Sequence, residues 1–398
     1  MVSNKVGSPV TGDDFFGRQQ ELRQCWLHLE GDHILLLAPR RVGKTSLMLR
    51  LQDHAGSHGF EACYMSGADV EDEAAFVRRL YESVARLPGW TSIGRRLADG
   101  PAGKLLGRIQ KLGAAGFSLE LGPAAKAEWA NLGERLAEAV CQHDGRCLLL
   151  IDEVPVFVLS LLHQDPTGER ARRFLIWLRG LRQRPDGDGA VRWLLAGSIG
   201  LDTVAARLNL GDTINDLRIF PLGAFSPKAA DELLVELSTR YELALPEEVR
   251  SYIVERVGWP IPYYLQLVFA ELREGCDSRE AATVERVDGV FEDLLKPARK
   301  GYFDYWRQRL EPELGKPDAG HALALLNVIA ADETGASRAS LSQCLLSRVQ
   351  SAEERAEKLR YLLDVLEGDG YVVEDRRAKR FRFRSPLLRE FWLRRVVP

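Results

Sequence analysis

The sequence lacks the features that mark membrane-spanning and secreted proteins. No run of about 18 apolar residues, the length that spans a bilayer, occurs in its 398 residues. The first residues, MVSNKVGSPVTGDDFF, have neither the basic start nor the apolar stretch and cleavage site of a secretory signal. We therefore expect that the chain does not cross a membrane and that it stays in the cytoplasm.

Cysteine is scarce and scattered. The six cysteines form no CxxC pair, and no histidine stands at zinc-finger spacing from them. Reduced, mostly buried thiols are what we expect of such cysteines in the cytosol. Repeats of fixed period and low-complexity tracts are absent as well. These absences argue against a disulfide scaffold, a zinc finger and a repeat array.

What is present is the composition of an ordinary globular protein. Hydrophobic residues make up 45% of the chain and charged residues 28%, and a chain of this length suits two or three domains. The net charge is −3, but the last 28 residues hold nine Lys or Arg and only three acids. A basic end of this kind indicates a polyanionic partner, though not by itself.

Five short apolar runs alternate with segments of helical periodicity in the first part of the chain. The runs are HILLLA, FEACYMS, RCLLLID, VRWLLAG and LRIFPL. Continuous apolar strands joined by helices predict an α/β fold, in which a parallel sheet of about five strands is covered on both faces. The stretch 88–125 is less regular, and we assign only GFSLEL within it to a strand. After about Phe225 the pattern becomes purely helical.

The end of the chain has the pattern of a winged helix. Three helix patterns begin near His321, Ser337 and Glu353, and YVVEDRRAKRFRFRSPLL then alternates around a polar turn at 375–378, as in a β-hairpin. The predicted domains are therefore an α/β core at 1–224, a helical domain at 225–305 and a winged helix at 306–398.

The segment LLLAPRRVGKTSLMLRL, residues 35–51, predicts a phosphate-binding loop between a strand and a helix. Backbone N–H groups and the helix start would hold the phosphates. Lys44 would neutralise the β and γ phosphates, and Thr45 would hold Mg²⁺. The candidate nucleotide contacts are Ala38, Pro39, Arg40, Arg41, Val42, Gly43, Lys44, Thr45 and Ser46.

Ala38 stands where the usual loop pattern has its first glycine. That position needs a tight turn, which a small Ala followed by Pro39 can also make because proline fixes its own φ. The substitution weakens the motif match without removing a ligand. The alternative is a basic helix start that binds no nucleotide.

The motif LLLIDEVP places two acids at the carboxyl end of a buried strand, where ligands bind in open α/β sheets. Asp152 suits a second contact to Mg²⁺, and Glu153 suits polarising the attacking water. The adjacent second acid and the lack of an NKxD motif favour ATP hydrolysis over a GTPase or a small-molecule kinase. The alternative is that the pair only caps the next helix.

The next strand ends in WLLAGSIG. If the two strands are neighbours, Ser198 lies beside the two acids, from where its hydroxyl could contact the γ-phosphate or the water. A helix N-cap is the alternative role for Ser198.

Six blocks of the sequence occur in the order and spacing of one known family. They are FFGRQQEL, APRRVGKTSL, LLLIDEV, LLAGSIGLD, GWPIPYYLQL and FRFRSPLLREFW. Over nearly its whole length the chain resembles the archaeal-type ATPases of the STAND branch (MNS clade) of AAA+ proteins. That family commonly shows APRRVGKT or GPRRVGKT, so Ala38 is typical of it. The resemblance implies a P-loop core, a helical lid and a C-terminal winged helix.

The resemblance also implies residues near the adenine. Phe16, Gly17 and Arg18 match the family's N-terminal block, although a hydrophobic staple and cap of the first helix is an equal alternative. Gly258, Pro260 and Pro262 match the lid's Gly/Pro block, although a helix-start proline explains either proline as well.

The sequence does not single out one arginine finger. Arg218 and Arg207 are candidates to meet a neighbour's γ-phosphate in a ring, and an ordinary surface arginine is the alternative for both. STAND proteins often lack a recognisable finger.

The hairpin of the predicted winged helix carries Arg376, Arg377, Lys379 and Arg380, which could contact DNA phosphates. The predicted recognition helix, residues 353–368, has more acids than bases, which would repel phosphate. Winged helices also bind proteins, so DNA and a protein partner both stay open.

Two hypotheses of function follow. The first is an ATP-hydrolysing, Mg²⁺-dependent switch whose nucleotide state reaches DNA or a partner through the winged helix, with copies assembling when ATP is bound. The second is a nucleotide-stabilised DNA-binding or scaffold protein with negligible hydrolysis, against which the intact Glu153 argues.

Overall fold

The computed structural model describes residues 2–87, 128–185, 189–197, 200–275 and 281–397. The chain forms two compact units. We call them the sheet unit, Arg18–Ala38 with Lys44–Leu222, and the helical unit, Met1–Gly17 with Pro39–Gly43 and Gly223–Pro398. The strand expected at GFSLEL lies outside the described residues.

Five parallel strands form the centre of the sheet unit. They are β1 His33–Leu37, β2 Phe60–Ser66, β3 Arg146–Asp152, β4 Val191–Gly197 and β5 Leu217–Pro221. The strands pair in the order β2-β3-β4-β1-β5. Strands β3 and β4 are buried along nearly their whole length, as their continuous apolar sequences require. The predicted parallel sheet is confirmed.

Seven helices of the sheet unit lie in the described residues. They are α1 Gln19–Leu29, α2 Lys44–His54, α3 Glu73–Val84, α4 Trp129–Cys141, α5 Val154–Gln164, α6 Glu169–Arg182 and α7 Leu201–Arg207. Phe76 of α3 packs against Phe157 of α5 and Phe174 of α6, with ring centroids 5.0 and 4.9 Å away. All three side chains are fully buried, so these helices pack through one aromatic cluster.

Four α-helices of the helical unit lie within the described residues of 225–305, the range predicted for the lid. They are α8 Pro227–Tyr241, α9 Glu247–Val257, α10 Pro262–Gly275 and α11 Val284–Leu294. Ser226 caps α8 by accepting a hydrogen bond from the N–H of Ala229, and Pro227 occupies the first turn, where its missing N–H costs nothing.

The remaining elements of the helical unit are mostly short helices with a small sheet. They are α12 Asp304–Gln308, α13 Leu310–Leu314, α14 Asp318–Ala331, β6 Ala336–Ser337, α15 Arg338–Leu345, α16 Ala352–Gly368, β7 Val372–Asp375, β8 Arg380–Phe383 and α17 Pro386–Arg395. From α14 to β8 the elements follow the order that a winged helix has. The small sheet has the strand order β6-β8-β7, with antiparallel pairing.

Aromatic side chains hold the last part of the helical unit together. Phe303 stacks on Tyr264 of α10 and on Phe391 of α17. Trp306 donates its indole N–H to the Tyr264 hydroxyl at 2.8 Å, and Tyr371 donates its hydroxyl to the Trp306 carbonyl at 2.6 Å. Each buried polar tip therefore has a partner, as buried tyrosine and tryptophan require.

Two expectations from composition can be compared with the structure. Within the described part of the chain, no helix combines the length and the apolarity that a bilayer span needs. Five of the six cysteines fall in that part, and all five are free thiols, as predicted.

Candidate functional site

The lysine of the phosphate loop lies against both acids of the LLLIDEVP motif. Lys44, at the start of α2, places its Nζ 3.2 Å from Asp152 Oδ1 and 3.0 Å from Glu153 Oε1. Thr45 donates its hydroxyl to Asp152 Oδ2 at 2.7 Å. All four residues belong to the sheet unit, so the sheet brings together the lysine, hydroxyl and two carboxylates that the sequence predicted.

The two acids differ in their surroundings. Asp152 ends β3 and is almost fully buried, whereas about a fifth of the Glu153 side chain, 21%, is exposed. Asp152 Oδ1 also accepts the backbone N–H of Glu153 at 2.9 Å, which fixes the carboxylate against the strand end. The Asp152 carboxylate is thus held in place, while Glu153 reaches solvent.

Glu153 occupies the N-cap position of α5, but its side chain makes no capping hydrogen bond. Its backbone is in the left-handed region, with φ of 55°, a conformation that is costly for a residue with a Cβ. Non-glycine residues with such backbones concentrate at functional sites. This geometry argues against the alternative in which Glu153 serves only to cap the helix.

Tyr64 is a member of this cluster that the sequence did not reveal. It lies on β2, the neighbour of β3, and donates its hydroxyl to Asp152 Oδ2 at 3.3 Å. Burial, with Asp152 close by, raises the pKa of Tyr64 well above its usual value, so the hydroxyl keeps its proton and can donate. Only the register of β2 with β3, in which Ser66 pairs with Asp152, brings the two together.

The oxygen atoms around Asp152 fit a magnesium ion. A threonine hydroxyl and an aspartate carboxylate 2.7 Å apart are the protein ligands that Mg²⁺ takes when phosphates and waters complete its shell. In the described residues no group of three or more His, Cys, Asp or Glu could hold a metal without such help. The donor set thus matches a nucleotide-linked Mg²⁺ better than an all-protein metal centre.

The loop before Lys44 has two residues with positive φ. Gly43 has φ of 94°, which glycine adopts readily, and Arg41 has φ of 69°, which is unusual for arginine. Val42 and Ala38 are buried, so the short side chain at position 38 is accommodated in the interior. The tight turn expected at Ala38 and Pro39 is compatible with the structure.

Arg41 is enclosed by tyrosines of the helical unit, to which residues 39–43 also belong. Its guanidinium carbon lies 3.8 Å from the ring centroid of Tyr263 and 4.1 Å from that of Tyr305. It also donates to the backbone carbonyl of Tyr302 at 2.9 Å. Burial raises the pKa of Tyr263 and of Tyr305 to about 12, so both rings are neutral phenols at pH 7.

Ser198 lies outside the described residues, and its role stays a prediction. The condition on which that prediction rested is met, because β4, which ends one residue earlier at Gly197, pairs directly with β3. Strand β4 also pairs with β1, and Gly197 is opposite Leu37. The end of β4 therefore lies between the end of β1, which leads into the loop, and the end of β3, which carries the acids.

Two solved structures share this fold over almost their whole length. The Walker-type ATPase PABY2304 of Pyrococcus abyssi is 16% identical, with a TM-score of 0.61 over 98% of this chain and 99% of that chain. The ORC2 protein of Aeropyrum pernix, in its ADPNP–ADP complexes, is 15% identical, with a TM-score of 0.53 over 95% and 93%. The chain has the same fold as these two proteins.

The predicted α/β fold class is thereby confirmed. No protein-family model and no curated protein matches the sequence. The identities of 16% and 15% establish the shared fold alone. What the chain does must therefore be argued from its own residues.

The residues predicted to lie near the adenine make packing contacts within their own units. In the helical unit the ring of Phe16 meets that of Phe225 edge-on at 6.2 Å, and Gly17 has φ of 65° beside the same ring. In the sheet unit Arg18 precedes α1, is buried and pairs with Glu21 at 2.7 Å. Neither contact is a staple or a cap of α1, because Phe225 lies outside that helix and Arg18 makes no side-chain capping hydrogen bond. Adenine contact stays a prediction.

The Gly/Pro block of the lid is also tightly packed. Gly258 has φ of 67°, and a Cβ there would clash with Pro386. Pro260 accepts the N–H of Phe225 through its carbonyl at 3.1 Å, and Pro262 starts α10. Both proline roles are explained by the backbone, so nucleotide contact by Pro260 and Pro262 stays a prediction.

The basic residues of the hairpin divide into two groups. Arg376, Arg377 and Lys379 are exposed in the turn between β7 and β8. Arg380, in contrast, lies in β8 and ion-pairs with Asp332 at 2.7 Å. Arg380 therefore differs from the prediction, because a strand residue anchored to a neighbouring loop is not a free tip.

The two candidate arginine fingers are surface residues. Arg218 ion-pairs with Asp32 at 2.5 Å with half of its side chain exposed, and Arg207 is exposed at the end of α7. In the described residues of the sheet unit, no contact gives either arginine a role beyond the surface.

Proposed function

We propose that the protein is a Mg²⁺-dependent ATPase of the STAND type, which uses ATP hydrolysis as a switch. The observation that carries this proposal is that Lys44, Thr45, Asp152 and Glu153 meet at one edge of a parallel sheet. The polar atoms of their side chains contact one another at distances of 3.2 Å or less. A structural ion pair would need one acid, whereas phosphate transfer to water needs a cation, a metal ligand and a water-orienting acid.

Each residue of the set has a distinct role in the proposed reaction. Lys44 binds the β and γ phosphates and offsets their charge. It therefore contacts the substrate as well as Asp152 and Glu153. Thr45 and Asp152 would hold Mg²⁺, which supplies charge neutralisation when bound. Glu153, the more exposed acid, orients the attacking water and accepts its proton.

Glu153→Gln tests the hydrolytic role. The amide keeps the size of the side chain but cannot accept a proton, so ATP turnover should fall roughly 100-fold or more while ATP binding persists, as expected for loss of a general base. Phosphate release and nucleotide binding are measured on the full chain. Glu138→Gln, at an exposed position of α4, is the matched control and should behave as the native protein.

Two results would decide against the proposal. Unchanged turnover in Glu153→Gln would remove this residue from the role. Phosphate release at background in the native chain, with and without DNA, would favour the second hypothesis, a nucleotide-stabilised DNA-binding or scaffold protein.

We further propose that the winged helix carries the nucleotide signal to DNA or to a protein partner. For DNA, support comes from Arg376, Arg377 and Lys379, which are exposed at the hairpin tip. The exposed face of α16 carries Glu353, Glu354 and Glu357, so a groove-reading role for this helix is disfavoured. Contact through the tip alone would be weak and independent of DNA sequence.

A salt series of DNA binding distinguishes these partners. Phosphate contacts weaken steeply with salt, and replacing the three tip residues by alanine should reduce the slope of log K against log salt by roughly 3. No DNA binding at low salt would leave a protein partner as the favoured choice. The solution mass with a non-hydrolysable ATP analogue tests whether copies assemble when ATP is bound.

A further inference from the structure

Arg41 is held by contacts that its place in a phosphate loop does not require. The general loop pattern accepts any residue at this position, and a flexible surface arginine would satisfy it. Here the guanidinium lies between two tyrosine rings, 3.8 and 4.1 Å from their centroids, and also donates to a backbone carbonyl. Three separate groups of the helical unit therefore fix one side chain.

The backbone of Arg41 pays a conformational penalty in this arrangement. Its φ of 69° is in the left-handed region, which is unfavourable for a residue with a Cβ unless the surroundings hold it there. A guanidinium is attracted to the face of an aromatic ring. The two ring faces and the hydrogen bond to Tyr302 therefore oppose the backbone cost.

The tyrosines are themselves immobilised. Tyr263 is buried at the start of α10. Tyr305 is next to Trp306, whose indole N–H is bonded to Tyr264 and whose carbonyl accepts the Tyr371 hydroxyl. Tyr263 and Tyr305 thus lie beside the aromatic cluster of the helical unit that includes Tyr264, Trp306 and Tyr371.

A second contact supports the same conclusion. Pro39 approaches Gly370, where a Cβ would lie 3.1 Å from the proline ring and closer still to Trp259. Gly370 has φ of 85° and directly precedes Tyr371. The loop is therefore fixed at two points, Pro39 and Arg41, both before the Gly-Lys-Thr that would bind phosphate.

We infer that Arg41 is a positioning residue, and that the seat formed by Tyr263, Tyr302 and Tyr305 sets the nucleotide affinity of the phosphate loop by holding residues 39–43 in shape. This inference rests on the proposed nucleotide binding and adds to it a determinant outside the phosphate-contacting residues. Arg41 acts here through its planar shape and its aromatic contacts. Its positive charge is directed at the faces of the tyrosine rings.

The test compares Arg41→Ala, Arg41→Lys and Tyr305→Leu in the full chain. Mg·ADP affinity is measured by calorimetry, and KM and kcat by phosphate release. Lysine keeps the charge but cannot stack as a plane or bridge the same contacts, so both Arg41 variants and Tyr305→Leu should weaken Mg·ADP binding roughly tenfold, the loss expected for about 1.4 kcal/mol of cation–π contact. KM should rise, with kcat at saturating ATP within about twofold of the native value.

Three controls separate positioning from general damage. Tyr305→Phe keeps the ring face and should bind Mg·ADP as the native chain does. Arg273, at the other end of α10, makes a similar contact, with its guanidinium carbon 4.4 Å from the ring centroid of Tyr241. Arg273→Ala removes that contact and should leave the affinity for Mg·ADP unchanged. The double variant Arg41→Ala with Tyr305→Leu should bind Mg·ADP no more weakly than either single variant, because both substitutions remove the same interaction.

The outcomes are distinct. Native affinity in Arg41→Lys would show that charge, and not the seat, matters, and would overturn the inference. Native affinity in Tyr305→Leu with weakened Arg41→Ala would assign Arg41 a direct ligand contact and overturn it as well. If Tyr305→Leu does not fold, Arg41→Lys against Arg41→Ala decides alone. A native chain that fails to bind Mg·ADP would overturn the proposed function itself.

Discussion

Each unit of the molecule has a cation placed between two acidic side chains, and two such sets differ in their surroundings. In the sheet unit Lys44 meets Asp152 and Glu153. In the helical unit Arg309 meets Glu313 and Asp369. Arg309 is also covered by the rings of Trp306 and Tyr371, each 5.7 Å from its guanidinium carbon.

Exposure is what separates the two sets. The Glu153 side chain is 21% exposed, whereas Glu313 is 1% exposed. Burial raises the pKa of Glu313 to about 8, against the opposing pull of Arg309. The comparison teaches that a ligand can reach a charged cluster that is partly exposed at a strand end. An enclosed cluster is out of reach of ligands and can only stabilise the fold.

The largest expected effect comes from removing the enclosed cation. Arg309→Ala removes the partner that the buried Glu313 and Asp369 side chains share, so unfolding of the helical unit should become easier by about 3–5 kcal/mol. Urea denaturation at pH 7 measures the change. Arg307→Ala, an exposed neighbour in α12, should change stability by less than about 0.5 kcal/mol. Equal effects of the two variants would show that the enclosed cluster is not structural.

Lys44→Ala should act in the opposite way. Because solvent reaches Glu153, the sheet unit should lose far less stability than Arg309→Ala causes, while nucleotide binding should weaken roughly 100-fold, as expected for loss of a charged phosphate contact worth about 2.7 kcal/mol. Thermal unfolding and Mg·ADP titration check the two parts. Unfolding as strong as that of Arg309→Ala, with binding intact, would reverse the comparison.

The pH dependence of stability gives a third, smaller difference. The folded-state pKa of Glu313 is raised from 4.5 to about 8. A raised carboxyl pKa means that its contribution to stability is fully present below about pH 4.5 and is lost as pH rises through about 8. The urea midpoint of the helical unit should therefore decrease as the pH rises from about 5 to about 8.5.

Glu313→Gln should flatten that decline, because the amide has no proton to lose. Glu311→Gln, at an exposed position two residues away, should keep the native pH slope. The same slope in all three proteins would assign the dependence to other groups.

The smallest effect is expected at Tyr64. Tyr64→Phe removes one hydrogen bond to Asp152 and should lower the affinity for Mg²⁺ in the nucleotide complex about two- to fivefold, the effect of roughly 0.5–1 kcal/mol for a neutral hydrogen bond. Titration of phosphate release with Mg²⁺ measures it. A loss as large as that in Lys44→Ala would make Tyr64 an essential part of the strand-end cluster.

The sequence was sufficient to predict the sheet, because five apolar runs of strand length carry their own signal. The acids of β3 were predictable for a related reason, since they follow a fully buried run directly. The role of Tyr64 was not predictable, because it depends on the register between two strands that are about 80 residues apart in the chain.

Other features lie beyond single-sequence reasoning. Strand β6 has two residues, too few to show a period. Helix α17 follows the hairpin directly, so the pattern that predicts the hairpin also includes SPLL, the N-cap and first three residues of this helix. Ser385 caps the helix by accepting the N–H of Leu388. The Arg41 seat joins the loop to tyrosines more than 200 positions away, and only the cluster of aromatics at 302–306 hinted at it.

Strand β5 forms one edge of the parallel sheet, and its composition has a consequence for how copies of this protein could associate. Pro221 has no N–H to donate, and the strand is only five residues long. Both features make an edge strand resist the addition of a foreign strand. Any association of copies at β5 would thus use side chains, without extending the sheet into a continuous ribbon.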